Sequence, residues 1–304
     1  MGSVALVTCA ALPEGDEDGG RLMSACASAG LAAQWVAWDD LTVDWAAWDL
    51  SVVRSTWDYT SRREEFLDWA RQVARLANPV DVLTWNSDKS YLRELAAAGV
   101  PVVPTSWARS GEEPVFPDDG EFVVKPVVGA GSVGAGRFSQ SQRAAARTHV
   151  TGLHARGRAV MVQPYLDRVD TDGEAGLVFL GGQYSHCINK GAMLSGAAEL
   201  PADPFADPFA DPFADPFAVP SRSRQLFVLE RITARAASAA QRAVADTVLA
   251  HAPADLLYAR VDLLPGPDGP VLVELELAEP SLFLGYQDGA AERLAAAIAA
   301  RVAR

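Results

Sequence analysis

The chain has 304 residues, 49% hydrophobic and 21% charged, a balance that excludes a disordered chain and suits a globular protein of two or three domains. Its 26 basic side chains against 39 acidic ones leave a net charge of −13, which excludes a nucleic-acid partner but not a nucleotide ligand. No apolar run approaches the roughly 20 residues of a membrane span, and no basic region precedes the short apolar run at the N-terminus, so no membrane partner is expected.

In chain order, residues 4–8 read as a strand, 24–30 as the end of a helix closed by Gly30, 51–54 as a second strand, and 62–76 as an amphipathic helix. Alternation of this kind predicts βαβ units on a parallel sheet. The turn at 8–18 lacks the glycine fingerprint of a dinucleotide fold, so this part reads as a substrate domain. Seven of eight tryptophans fall between Trp35 and Trp85 and read mainly as core, with Trp57 a candidate pocket wall. A boundary is placed at 78–85. A helix at 88–98 comes next, then strands at 121–125 and 135–138, a helix at 141–156 and a strand at 159–163. Beyond these come a hairpin over 177–189 turning at Gly181 and Gly182, an alanine-rich helix near 222–250, a hairpin of 258–264 with 270–277, and a last helix at 289–304.

Residues 202–217 are four tandem copies of Ala-Asp-Pro-Phe. A proline at every fourth position forbids a helix interior or a central strand, leaving a surface insertion or a phenylalanine-bearing flap. Cys9, Cys26 and Cys187 form no CxxC pattern and read as reduced thiols of a cytoplasmic protein. The four histidines show no metal-ligand spacing, which excludes a zinc enzyme.

Gly129, Gly131 and Gly134 spell GxGxxG, but residues 135–138 read as a strand rather than a helix, against a dinucleotide fold. No Gly-Lys-Ser/Thr comes after the glycines, against a Walker loop, and Lys125 precedes them, against a kinase. What remains is strand, lysine, glycine-rich turn and strand, which can lay backbone N–H groups over phosphates while Lys125 neutralises them and Ser132 adds a donor. In the last hairpin, Glu274 and Glu276 share one strand face. If Leu264 pairs with Pro270, Arg260 and Asp262 join that face. Three carboxylates with a single arginine then call for Mg²⁺ or Mn²⁺.

Together these pieces resemble the ATP-grasp superfamily over roughly residues 4–286. The resemblance is carried by WNSDKSYL with Lys89, FVVKP with Lys125, GAGSVGAG, VQPY with Gln163, Pro164 and Tyr165, then Lys190, ARVD with Asp262, and VELELAEPSLF with Glu274 and Glu276. It implies an α/β and α+β fold with three parts: an N-terminal parallel-sheet substrate domain (1–86), a central subdomain bearing the glycine-rich lid (87–165), and a C-terminal subdomain bearing the metal site (166–304). It also implies ATP between the last two, Lys89 and Lys125 on phosphates, residues 163–165 along the adenine, Asp262, Glu274 and Glu276 on two Mg²⁺ ions, Arg260 on a phosphate, and Lys190 on the transferred γ-phosphoryl group. Many relatives carry Glu-x-Asn where this chain has Glu274-Leu-Glu276, an extra charge that should strengthen metal binding.

RSTWDY, WNSDK and ELELAEPSLFL resemble the cycloserine-synthetase branch, which cyclises O-ureido-D-serine in antibiotic biosynthesis. Arg54 sits at a strand-to-helix switch and would pair with a substrate carboxylate, with Ser55, Thr56, Trp57 and Asp58 around it. The implied activity is an ATP-dependent ligase that makes an acylphosphate of an amino-acid-like carboxylate for attack by nitrogen. An intermolecular amino-acid or peptide ligase and a non-catalytic nucleotide sensor stay open, as does a homo-oligomer.

Overall fold

The computed structural model describes residues 1–192, 194 and 231–304, arranged around three β-sheets. The Ala-Asp-Pro-Phe repeat lies outside the described residues.

The first sheet is parallel, in the order β2-β1-β3-β4, from β1 (Gly2–Thr8), β2 (Leu31–Ala37), β3 (Leu50–Ser55) and β4 (Leu76–Ala77). Buried side chains alternate along β1: Val4 and Leu6 face one core, Ala5 and Val7 the other. A parallel sheet covered on both faces produces this pattern. Helix α2 (Arg63–Gln72) lays Phe66, Leu67, Trp69 and Ala70 on the second face, where Trp38 joins them edge-on to Phe66. The helix expected over 62–76 therefore stops early, because Leu76 and Ala77 pair with Ser51 and Val52 as the edge strand. On the first face, α1 (Gly19–Ser28) meets the last helix of the chain, α8 (Ala290–Val302), whose Leu294, Ala295 and Ile298 share one core with Val4, Leu6, Val52 and, from the third sheet, Val178 and Tyr258.

The expected boundary at 78–85 is a buried junction rather than a linker. Asn78 is fully buried: its amide donates to the carbonyls of Tyr258 and Leu277 at 3.0 and 2.8 Å, and its oxygen accepts from Leu257 N. Helix α3 (Val80–Asn86) begins two residues later, and α4 (Tyr91–Ala97) comes after it.

The second sheet is antiparallel, ordered β5-β8-β6-β7, from β5 (Ser106–Ala108), β6 (Phe122–Pro126), β7 (Gly136–Phe138) and β8 (Val160–Pro164). Helix α5 (Arg143–Ala155) covers one face with Ala146, Val150 and Leu153 against Phe122, Val124 and Phe138, a core of its own.

The third sheet, β11-β10-β9-β12-β13, contains β9 (Glu174–Leu180), β10 (Gln183–Lys190), β11 (Ile232–Arg235), β12 (Tyr258–Pro265) and β13 (Pro270–Glu276); the short helix α6 (Val169–Asp172) leads into it. Of the helix expected near 222–250, residues 222–230 lie outside the described residues, and the described part is strand β11 followed by α7, Ala239–His251. Ser238 starts it with a capping box: its hydroxyl accepts from Gln241 N at 3.2 Å, and Gln241 Oε1 accepts from Ser238 N at 2.9 Å. Among the described residues no helix is long and apolar enough to cross a membrane.

Candidate active site

A cleft of about 300 Å³ opens between the second and third sheets and reaches the end of β3. Its character comes from the hairpin β12–β13. The turn pairs Pro265 with Pro270 and Leu264 with Val271, one step from the expected pairing of Leu264 with Pro270. Kept along the strand, that register would set Glu274 against Val261 and send it to the face opposite Asp262. A β-bulge between Asp262 and Leu263 restores the phase, so that Asp262 pairs with Glu274 and Arg260 with Glu276. The extra residue is Val273. It lines the cleft beside Glu274, whereas Leu272, Leu275 and Leu277 point into the core beneath α4 and α7.

Arg260 binds Asp262 through Nε at 2.9 Å and also contacts Glu276; its Nη1 donates to Ser281 O at 2.8 Å. Lys190 reaches Asp262 at 2.8 Å and Glu174 at 2.6 Å. Asp262 is 1% exposed, and burial alone would raise its pKa, yet Arg260 and Lys190 hold it well below the usual carboxylate range. Burial and Arg260 both work against the Lys190 charge, and Asp262 and Glu174 overcome them, raising its pKa. Lys89 donates to Gly129 O at 2.5 Å and pairs with Glu274 at 3.0 Å. Lys125 lines the same cleft without an ion pair among the described residues; burial lowers its pKa, Glu274 offsets part of this, and Lys89 and Lys190 act with burial. Burial pushes Glu276 up to about 8, helped by Asp262 and Glu274, with Arg260 offsetting only part.

The glycine-rich loop supplies another wall through Gly129, Gly131, Ser132 and Gly134. Gly134 has φ +76°, which a side chain tolerates poorly, and its carbonyl lies 2.8 Å from His149 Nε2 on α5. Gln163, Pro164 and Tyr165 line the cleft as well, with Val103, Val123 and Leu264 as apolar neighbours. Gln163 is fixed by a 2.9 Å bond to Thr105 Oγ1, and Tyr165 lies under the Arg137 guanidinium, 3.5 Å from its ring centre.

The expectation for the substrate residues changes. Of Arg54, Ser55, Thr56, Trp57 and Asp58, Trp57 lines the cleft and the other four do not. Arg54 is 1% exposed; its Nη2 donates to Pro280 O at 2.9 Å with Asp16 3.6 Å away, bracing the turn after β13, while its Nη1 and Thr56 Oγ1 are buried with no hydrogen-bond partner among the described residues. Ser55 and Thr56 are buried, and Asp58 is bonded by Trp38 Nε1 and Arg62. The end of β3 brings Trp57 to the cleft, while the direction of Arg54 is set by contact with a segment more than 200 positions away. Glu279, Tyr59, Glu174 and Ser281 also line the cleft and were not singled out in the sequence. For Glu279 the signal was present, since it comes directly after the acidic strand.

The donor set fits a divalent cation. Glu274 and Glu276 are hard-oxygen ligands on one face, each side chain 27% exposed toward the cleft. Asp262 departs from its expected role in one respect: its oxygens are engaged by Arg260 and Lys190. Among the described residues no three His, Cys, Asp or Glu side chains converge closely enough to hold an ion unaided. Magnesium commonly takes one or two carboxylates and completes its shell with phosphate and water, which matches this arrangement.

Residues 4–78 match the family described as the N-terminal domain of D-cycloserine synthetase DcsG. The cycloserine biosynthesis protein DcsG of Streptomyces lavendulae is 37% identical over 321 aligned residues, covering 99% of each chain. The crystal structure of D-cycloserine synthetase DcsG superposes with a TM-score of 0.82 at 37% identity, covering 99% of this chain and all of that one. The ATP complex of D-alanine–D-alanine ligase from Bacillus anthracis, at 12% identity, matches with a TM-score of 0.64 over 100% of this chain and 98% of that one, a likeness of fold. With the cleft, its lysines and its paired acids in this order, the chain belongs to the cycloserine synthetase DcsG family of ATP-grasp ligases.

Proposed function

We propose that the protein closes O-ureido-D-serine to D-cycloserine at the expense of ATP. The carrying observation is that Lys89, Lys125, Lys190 and Arg260 share one cleft with Glu274 and Glu276, cations for a triphosphate beside acids for its metal. The adenine lies along Gln163, Pro164 and Tyr165 with Val103 and Val273 at its faces. The phosphates lie under Gly129, Gly131, Ser132 and Gly134, met by Lys89 and Lys125. Glu274 and Glu276, with Asp262 once Lys190 and Arg260 pair with the triphosphate, would hold two Mg²⁺ ions. Magnesium there would neutralise phosphate charge and favour departure of ADP.

The substrate carboxylate takes the γ-phosphoryl group, with Lys190 and Arg260 holding the charge that develops on it. The ureido nitrogen of the same molecule then attacks the acyl carbon and phosphate leaves, closing the five-membered ring. Intramolecular attack needs only that the walls hold the substrate folded, a large kinetic advantage. The carbamoyl group is lost afterwards, with uptake of one water, as CO₂ and ammonia.

Purified protein with Mg²⁺ and ATP is expected to release ADP when given O-ureido-D-serine and to yield D-cycloserine by mass spectrometry. ADP release with a pair of amino acids alone would make it an intermolecular ligase. Nucleotide binding without turnover of any carboxylate would make it a sensor.

A further inference from the structure

Every cleft carboxylate but one has a cation. Glu174 has Lys190, Glu274 has Lys89 and Glu276 has Arg260; Asp262, buried beneath the cleft, has Arg260 and Lys190. Glu279 also lines the cleft and is only 9% exposed, yet it makes no ion pair among the described residues. Lys89, the cation whose charge bears most on it, is already engaged by Glu274 and Gly129 O. The surroundings of Glu279 fix it in place, and burial pushes its carboxyl up to about 7, with Lys89 and Tyr59 offsetting only part. The Tyr59 hydroxyl donates to its carboxylate, and Trp57 Nε1 donates to its carbonyl oxygen at 3.0 Å. Arg54 holds the next carbonyl, that of Pro280, at 2.9 Å.

A charge buried without a counter-ion is costly unless something arrives to pair with it. The missing partner carries one positive charge, because a single carboxylate must balance it. It also sits against aromatic walls, since Trp57 and Tyr59 share this part of the cleft, and rings of this kind favour small organic cations. On these grounds we infer that Glu279, oriented by Tyr59 and by the Trp57 indole, receives the α-ammonium group of the substrate and sets the specificity for an amino-bearing carboxylic acid. The identity of that substrate rests on the cyclisation reading. The same role explains why the turn after β13 is bonded so firmly to the end of β3: the anion must stay aimed while the neighbouring carboxylate is phosphorylated.

The test compares O-ureido-D-serine with its des-amino counterpart, 3-(ureidooxy)propanoate, on the wild type, Glu279→Gln and Tyr59→Phe. The expected result is a rise in KM for O-ureido-D-serine of about 10- to 100-fold in Glu279→Gln, the range for a lost hydrogen bond to a charged group. The ATP KM and the Mg²⁺ requirement should be unmoved, and the two substrates should become nearly equivalent. Tyr59→Phe should shift KM the same way by less. An equal loss on both substrates, or an increased Mg²⁺ requirement, would overturn the assignment and make Glu279 a structural or metal residue. Calorimetry of both compounds with the ADP-loaded protein reads the same preference without turnover. Equal wild-type affinity for the two overturns the ammonium assignment. A wild type that prefers the amino compound yet releases no ADP with it overturns only the cyclisation reading. Binding of neither compound overturns both.

Discussion

Lys190 Nζ lies 2.8 Å from Asp262 Oδ2, and both side chains are almost wholly buried. Such a pair is worth little compared with a well-packed apolar replacement, but breaking it from one side strands a charge. Asp262→Asn leaves Lys190 and Arg260 crowding one another, with Glu174 and Glu276 as remaining partners. The variant is expected to lose about 3–5 kcal/mol of stability in urea unfolding. Turnover should fall by about 100-fold or more, as for other losses of preorganised charge. The double variant Lys190→Met, Asp262→Asn should recover part of the stability and none of the activity, which a double-mutant cycle would read directly.

Glu276 predicts a pH dependence of known sign. Its carboxyl ordinarily titrates near 4.5, and in the folded protein burial raises it to about 8, so the fold binds its proton more tightly than the unfolded chain does. Its contribution is fully present below 4.5 and is lost as pH rises toward about 8. Relative to the wild type, Glu276→Gln without nucleotide should therefore gain in thermal midpoint across this window, the gap widening toward the alkaline end. Mg²⁺ binding to the wild type should strengthen over the same interval, because the metal must displace that proton. A gap that does not change with pH would show that Glu276 is already ionised.

Lys125 has the opposite problem, a half-buried cation with no ion pair among the described residues and a lowered pKa. Lys125→Met should leave the thermal midpoint of the free protein unchanged or raised. It should nevertheless weaken ATP by about 10-fold or more, the worth of a charge-assisted phosphate contact. Thermal shift with and without ATP distinguishes the two effects in one experiment.

The glycine-rich loop is anchored by His149, whose ring faces Gly134 O at 2.8 Å. Burial lowers the His149 pKa, which favours the neutral ring. His149→Ala should raise the ATP KM by about 5-fold, the worth of one hydrogen bond. Gly134→Ala forces a methyl group into a left-handed position at φ +76°, 3.4 Å from Leu153 Cδ2. About 1–2 kcal/mol of stability should be lost there. Hydrogen exchange over the loop residues would confirm that both variants loosen it.

The periodic features of the fold were readable from sequence. Strand β6 with Lys125, the glycine turn and the acidic face of β13 are given by alternation and local chemistry, and the structure places all three on one cleft. The shared face of Asp262 and Glu274 was anticipated through the wrong turn pairing, because a bulge leaves no mark in hydrophobic alternation that a single strand can show. The contact of Arg54 with Pro280 was not legible for a related reason: its partner is remote in sequence, and nothing local marks an arginine that braces a loop. Strand β11 was missed because its side chains are mostly exposed and carry no core-facing period. Glu279 was hidden by its neighbours, since an acid beside two stronger candidates reads as more of the same.

The core that holds the first sheet also contains Val178 and Tyr258 from the third sheet and Leu294 and Ile298 from α8. The strand β13 packs Leu272, Leu275 and Leu277 into a second core with α4 and α7, and Ala278, next to Glu279, joins Val53 and Phe66 in a third. The second sheet keeps a separate core beneath α5 and meets the rest through a narrower seam that includes Val127 and Met161. Core substitutions beneath α5 should therefore alter the roof above the phosphates while leaving the packing of the first sheet untouched.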